Sequence, residues 1–477
     1  MRMKTPYVSM KELSFVQFNM ENITTVLALT AIIIILFYVI EYLINKFREY
    51  NMVKKYQGPK AYPLIGNLNL FVGDLKDITY KLIKLSENYS SPWRLWVGPK
   101  LVLFFDDPEY MKIISDGSYG WEKSELYDFM KPYIGNGLFT APASVWKIHR
   151  RILNPVFKEQ MFSTYMDSIV RKSNTLANIL ETTNGENVNF LLYVNMCTLD
   201  IIYGSLLESD FDLQNNSECR FQEYLIEKKK ETIEEGKVLR ESNGLDESTN
   251  ERSFLDLLFI SLYEKGEISE QDIRDEINTI VLTGSETSAA TLSFLFLMLA
   301  TFPDVQNQIY EELYDLYGSS DPDDVPITLE DIKKMKYLER VVKETLRLFP
   351  SAPFIGRTSC RDIKVDENLV IPKNCSVVFG IFSLHRKDKY WTDPLRFNPD
   401  RFLPGNYNLN CFLPFSTGKR NCIGQKFVMI QMKAITATLL RKFIVRIDNP
   451  VSVENVKLKF SITLKPGEPI FLRFNKR

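Results

Sequence analysis

From Ile23 to Ile40 the chain reads ITTVLALTAIIIILFYVI, 18 residues without a charge. Wound as a helix at about 1.5 Å per residue, this run spans about 27 Å, close to the hydrocarbon thickness of a bilayer. Including Glu41 to Ile44 carries it past that thickness. Such a run either crosses a membrane or lies buried on every side of a large core. A cleaved signal peptide would have a shorter apolar region ending in small residues, and none follows here. We therefore expect a tail over 1–22 and a single transmembrane anchor over 23–44. Lys46, Arg48, Lys54 and Lys55 follow the span, against Arg2, Lys4 and Lys11 before it. That balance of positive charge favours a cytosolic C-terminal body.

The stretch GPKAYPLIGN, Gly58 to Asn67, carries two prolines and two glycines, and we expect a stiff, non-helical linker over 45–66. Residues 67–477 remain for the globular body. The whole chain has 477 residues, 45% hydrophobic and 13% aromatic, enough to bury a sizeable core. Lys plus Arg number 59 and Asp plus Glu 60, a net charge of −1 that argues against a dedicated nucleic-acid binder. Six cysteines, Cys197, Cys219, Cys360, Cys375, Cys411 and Cys422, lie scattered with no Cys-x-x-Cys pair, which fits reduced thiols rather than a disulfide scaffold. Only two histidines occur, His149 and His385, so His-built zinc sites and serine triads lack candidates. Phosphate-cradling glycine motifs are missing as well, and nucleotide binding by this chain is not expected.

Alternation over Ser91 to Pro108 predicts two strands turned at Gly98-Pro99. Helical periodicity then dominates from Ser144 to about Leu348, apart from a charged, polar stretch over Glu208 to Asn250. Ser269 and Asp272 form a weak cap for a helix of some thirty residues that Pro303 stops, apolar nearly all round in its second half. Such a helix crosses the middle of a domain. A second long helical pattern runs from Thr328 to Pro350. After it, KNCSVVFGIF and KLKFSITLKP read as strands. The expected fold class is mainly α with small β-sheets.

The segment PFSTGKRNCIGQKF, Pro414 to Phe427, places Cys422 after a glycine-bearing turn with two cations, just before a helix. A buried structural thiol, a reactive catalytic thiol and a metal-holding thiolate compete as readings. Phe415, Gly418, Arg420, Cys422 and Gly424 fit F-x-x-G-x-R-x-C-x-G. A thiol before a helix N-terminus meets free amides and the macrodipole, which favour the thiolate. Gly424 lets a flat ligand approach the backbone. Arg420 supplies a cation suited to a carboxylate. Those are the needs of a sulfur on haem iron with a propionate beside it.

On these positions the chain resembles a cytochrome P-450, a haem-thiolate monooxygenase. The resemblance implies the P-450 fold behind the N-terminal transmembrane helix, haem b as cofactor and Cys422 as axial iron ligand. Trp146 and Arg150, in WKIHRR, match the family's W-x-x-x-R helix, whose residues contact haem propionates. Arg357, in APFIGR, resembles a further propionate partner. Glu344 and Arg347, in KETLR, match E-x-x-R, and Arg401 in NPDRF completes a structural triad. The stretch with Pro59, Pro63 and Gly66 resembles the proline-rich hinge. Thr283 to Ser288, TGSETS, resembles the family's (A/G)-G-x-(D/E)-T-(T/S). That likeness implies that Gly284 shapes an oxygen groove while Thr287 and Glu286 manage protons. Splitting an O–O bond needs two protons and electron density from the thiolate.

WEKSELYDFMKPYIGNGLFTA, Trp121 to Ala141, and LRLFPSAPFIGR resemble family four, which includes fatty-acid omega-hydroxylases and many insect members. Many members carry a glutamate before the groove glycine, esterified to haem; Thr283 stands here, so no ester link is expected. After CTLDIIYGSLLESDF the chain passes quickly to FQEYLIEKKK, which resembles the end of the family's G helix. The region near 208–222 is therefore expected to be shortened, with the helices that roof the substrate pocket truncated. The resemblance implies O2, a lipophilic substrate of fatty-acid, hydrocarbon, terpenoid or xenobiotic type, and a single-pass place in the endoplasmic reticulum membrane. Apolar residues of the central helix, the Trp121–Ala141 loop and Ser461 to Leu464 are expected to touch that substrate. Electrons would come from NADPH–cytochrome P-450 reductase, with cytochrome b5 a second donor, at a basic face of Lys147, Arg151, Lys419, Lys426 and Lys433. Two alternatives stay open: a haem protein that binds a hydrophobic ligand without turnover, and a reductase-independent haem-thiolate isomerase.

Overall fold

The computed structural model describes residues 10–117, 122–215, 253–367, 369–461 and 463–477. The chain divides into two units, Met1–Tyr56 and Gln57–Arg477. In the first, α1 runs from Met10 to Val53 without interruption. It takes in residues 10–22, expected as a tail, and residues 45–53, expected as linker. The reason is local: between Pro6 and Gly58 the sequence holds no proline or glycine to stop a helix. From Thr24 onward α1 is long and apolar enough to cross a membrane, and its large apolar side chains from Val26 to Phe47 lie exposed.

In the second unit, residues 57–66 are non-helical, as expected, and are bound to the sheet. Gln57 and Gly66 bridge to β1 (Trp93–Val97), with Arg94 N donating to Gln57 O at 2.8 Å. β1 turns at Gly98, φ 60°, into the antiparallel β2 (Lys100–Phe105), as the alternation predicts. Helices follow: α2 (Ala143–Leu153), α3 (Glu159–Thr182), α4 (Phe190–Leu206) and α5 (Glu270–Thr301). The cap of α5 is a complete capping box, since Ser269 Oγ accepts from Asp272 N and Asp272 Oδ2 accepts from Ser269 N. Aspartate reaches where glutamate was the stronger expectation. Ser288 to Ala300 are all buried, so α5 crosses the core, and its Phe294 stacks on Phe349 with ring centroids 4.4 Å apart.

Pro303 opens α6 (Pro303–Tyr317) at its first turn. The pattern from Thr328 to Pro350 forms two helices rather than one, α7 (Leu329–Lys334) and α8 (Lys336–Leu348). Met335 leaves helical geometry at φ −69°, ψ 76°. The break is held by Glu312 of α6, whose carboxylate accepts from Tyr337 N at 2.6 Å and Leu338 N at 2.9 Å. That is an N-terminal cap supplied from another helix. Then come β3 (Phe354–Thr358), β4 (Ser376–Gly380), α9 (Gln425–Lys442), β5 (Leu458–Phe460) and β6 (Leu464–Pro466). The main sheet has the order β1-β2-β4-β3, with β2 and β4 parallel, while β5 and β6 form a separate hairpin. The mainly α class with small sheets holds.

Candidate functional site

The loop from Pro414 to Gly424 is shaped by two residues at positive φ, Ser416 at 65° and Gly418 at 71°. A Cβ on Gly418 would sit 2.6 Å from Ser115 O, so the turn excludes side chains there. Cys422 N donates to Phe415 O at 2.9 Å, closing the loop on itself just before α9. Cys422 is accessible, yet protein surrounds it densely enough that burial pushes its thiol pKa up. Both observations hold for a side chain bordering an internal space. The amides of Gly424 and Gln425 and the charge of Arg150 oppose the rise without cancelling it. The helix start thus favours the thiolate, as the macrodipole predicts, while burial opposes it, and a bound cation would add to the pull of the amides. An added Cβ on Gly424 meets only Phe157 Cε1, at 3.9 Å, so that side of the loop is open.

Around this loop the structure gathers cations. Arg420 donates to Ala141 O at 2.7 Å and lies 4.6 Å from the Trp146 ring centroid. Burial, with Arg357 adding to it, pushes the Arg420 pKa down to about 9. Arg357 is fully buried, with Nη1 on Gly356 O at 2.9 Å and Nε without a hydrogen-bond partner among the described residues. Lys123, which the sequence did not single out, sits 4.5 Å from each of the Tyr127 and Phe139 ring centroids. Its pKa is held well below the usual lysine value by burial, then by Arg357 and Arg420. Among the described residues neither Lys123 nor Arg357 has a carboxylate partner. Glu122 acts on Arg420, but cations converging this closely are costly unless a ligand supplies further negative charge. A thiol, an open glycine and this set of cations fit a haem with its two carboxylates.

Arg150 is anchored beside the cysteine loop. Its Nε donates to Asn154 Oδ1 at 2.8 Å, Nη1 to Asn421 O at 2.8 Å and Nη2 to Asn421 Oδ1 at 3.1 Å. It braces the residue before the cysteine.

On α5, Thr287 Oγ1 donates to Thr283 O at 2.7 Å, and the helix stays unbroken there. Ser351 Oγ donates to Thr287 O at 3.0 Å. Glu286 Oε1 takes Lys465 Nζ at 2.6 Å and Thr463 Oγ1 at 2.9 Å, both from the β5–β6 hairpin. A Cβ on Gly284 would lie 2.7 Å from Ile202 Cδ1, so the glycine allows α4 to pack against α5. The partly accessible residues in the middle of α5 are Asn278, Leu282, Thr283, Gly284, Glu286 and Thr287. That face is largely polar, with Leu282 as its one large apolar side chain. No hydrogen bond or ion pair among the described residues links this cluster directly to the cysteine loop.

The triad closes as expected. Glu344 accepts from Arg347 Nε at 2.7 Å and Nη2 at 2.9 Å, and Arg401 Nε lies 3.4 Å from Glu344 Oε1. Arg347 Nη1 donates to His385 O at 2.8 Å. The His385 ring spans from Arg347 O at Nδ1, 3.2 Å, to Leu413 N, which donates to Nε2 at 2.9 Å. Burial and Arg347 push the His385 pKa down to about 3, so the ring is neutral. It joins the triad to the segment leading into the cysteine loop, a role no sequence pattern announced.

On the expected basic face Lys147, Arg151, Lys419 and Lys426 are exposed, with Arg151 paired to Glu267 at 2.7 Å. Lys433 does not belong there: it is buried, donating to Ile332 O and lying 3.5 Å from Glu339. Trp121, Ile462 and the roof region from residue 216 onward lie outside the described residues.

Comparison with known proteins agrees with this geometry. The Cytochrome P450 family profile matches residues 56–232 and 223–473. Cytochrome P450 4V2 of Pongo abelii is 32% identical, over 88% of this chain and 89% of its own. Cytochrome P450 4c3 of Drosophila melanogaster is 28% identical, over 93% of each chain. Cytochrome P450 4c21 of Blattella germanica is 28% identical, over 96% of this chain and 100% of its own. The chain belongs to the cytochrome P450 family, in its family-four branch, and is a haem-thiolate monooxygenase.

Proposed function

We propose that this chain is a membrane-anchored monooxygenase that hydroxylates a lipophilic substrate, of fatty-acid, hydrocarbon, terpenoid or xenobiotic type. Haem b supplies the activation of O2, with one oxygen atom entering substrate and the other leaving as water. Cys422 would hold the haem iron through its sulfur, and Arg357, Arg420 and Lys123 would hold the haem carboxylates, with Trp146 supporting Arg420. The observation that carries this reading is the buried cation cluster beside an accessible thiol. Because Thr283 offers no carboxylate, the haem is not ester-linked. Glu286 relays protons from solvent, and the Thr287 hydroxyl directs them towards the oxygen being reduced.

The exposed lysines and arginines of the thiolate side receive an acidic electron donor, NADPH–cytochrome P-450 reductase, with cytochrome b5 as a second. α1 anchors the chain in the endoplasmic reticulum membrane with the larger unit cytosolic, the side favoured by the basic residues after the apolar run. The region near 208–222 is shortened relative to the family, which leaves the α5 face and the β5–β6 hairpin to define more of the substrate pocket.

Thr287→Ala tests the proton role. It is expected to raise peroxide released per product formed by about tenfold while leaving haem binding intact. Unchanged coupling would remove Thr287 from proton delivery.

A further inference from the structure

Glu286 is held from outside its own helix. Lys465 Nζ and Thr463 Oγ1 both engage Oε1, at 2.6 and 2.9 Å, whereas Oε2 has no hydrogen-bond partner among the described residues. The two side chains of the ion pair are 17% and 33% exposed, and pairs that wet contribute little to stability. The same hairpin is tied to the neighbouring residue by a second route. Leu464 N donates to Ser351 O at 2.9 Å, and Ser351 Oγ donates to Thr287 O at 3.0 Å. Ser351 Oγ also lies 2.7 Å from Thr291 Oγ1. Thr463 and Leu464 are buried, so β6 is a firm support rather than a loose flap. Two adjacent residues of α5 thus take their positions from one strand.

We infer that Lys465 is a positioning residue for proton delivery. With Thr463 it fixes one oxygen of Glu286 and leaves the other open to water and to the Thr287 side. The inference rests on the proton role proposed above for Glu286 and Thr287. In each delivery the Glu286 carboxylate takes one proton from solvent water at its open oxygen and passes it to the oxygen being reduced, returning to the carboxylate that Lys465 pairs with. The electrons come from the redox partner. Lys465 keeps its own protons throughout and acts by holding the carboxylate in place. Without it the acid is free to turn away, and reduced oxygen escapes as hydrogen peroxide.

The test uses the full-length holoenzyme with its reductase and dodecanoic acid as probe, comparing Lys465→Met, Lys465→Arg and Thr287→Ala. Peroxide released per NADPH consumed is expected to rise about fivefold in Lys465→Met and to return to near the wild-type ratio in Lys465→Arg. Hydrogen exchange of the resting protein, which needs no turnover, is expected to quicken in β6 and in α5 around Glu286 without a fall in melting temperature. If Thr287→Ala raises peroxide while Lys465→Met leaves both peroxide and exchange unchanged, Lys465 has no positioning role and the proton reading stands. If Thr287→Ala raises no peroxide, the proton reading itself fails and this inference falls with it. A lower melting temperature in Lys465→Met with normal coupling would make the pair purely structural, overturning the inference.

Discussion

Glu344→Ala is expected to give a protein that unfolds far more readily than wild type and retains almost no haem. Glu344 and Arg347 are both fully buried. The carboxylate also accepts from Asn398 N at 2.8 Å, so it satisfies Arg347, a backbone amide and the nearby Arg401 together. Removing it leaves the Arg347 charge buried without compensation, a loss of about 3–5 kcal/mol. Against a typical net stability of about 5–15 kcal/mol, that is a large fraction. The damage does not stay local, because Arg347 holds the His385 carbonyl and its own carbonyl faces the ring that supports Leu413 N. The cysteine loop begins one residue later. Urea unfolding and haem absorbance per protein measure both effects; a variant with wild-type midpoint and full haem would refute the bracing role.

Lys123→Met is expected to move two measurements in opposite directions. In the haem-free protein the half-buried lysine faces Arg357 and Arg420, so its removal should stabilise the fold. In the haem-loaded protein a carboxylate contact disappears, and haem affinity should fall by about tenfold or more. The pH dependence gives the sign a second check. Because the folded pKa is lowered from 10.5, the unfolded chain binds more protons across the interval between the two values. Stability of haem-free wild type therefore rises as pH climbs from the lowered value towards 10.5, and Lys123→Met lacks that rise. Destabilised apo-protein with unchanged haem affinity would show that Lys123 packs against its two rings and does nothing for a ligand.

The parts of this molecule that sequence made legible are those written within one turn or one helix. The cysteine loop, the Glu344–Arg347 spacing, the Ser269 cap and the strand pair at Gly98 each depend on neighbours a few residues apart. What escaped depends on assembly. Arg357 and Arg420 were legible from their motifs, but Lys123 comes from a distant segment, and only folding brings it to them. The break at Met335 is imposed by Glu312, a residue in the preceding helix. Lys433 reads as one more surface cation until the helix rotation buries it. Gly284 carries the motif's expected glycine, yet its contact is Ile202 on another helix. Periodicity predicted that α5 crosses the core but gave no hint that the hairpin at Thr463 and Lys465 grips its acid.

The absorption spectrum of the reduced protein under carbon monoxide, recorded for wild type and Cys422→Ala, tests the central claim most directly. A thiolate-bound haem gives a strongly red-shifted Soret band, and the account predicts that band in wild type and its loss in the variant. Folded, haem-supplemented wild type without the band, or a variant that keeps it, would contradict Cys422 as the haem ligand.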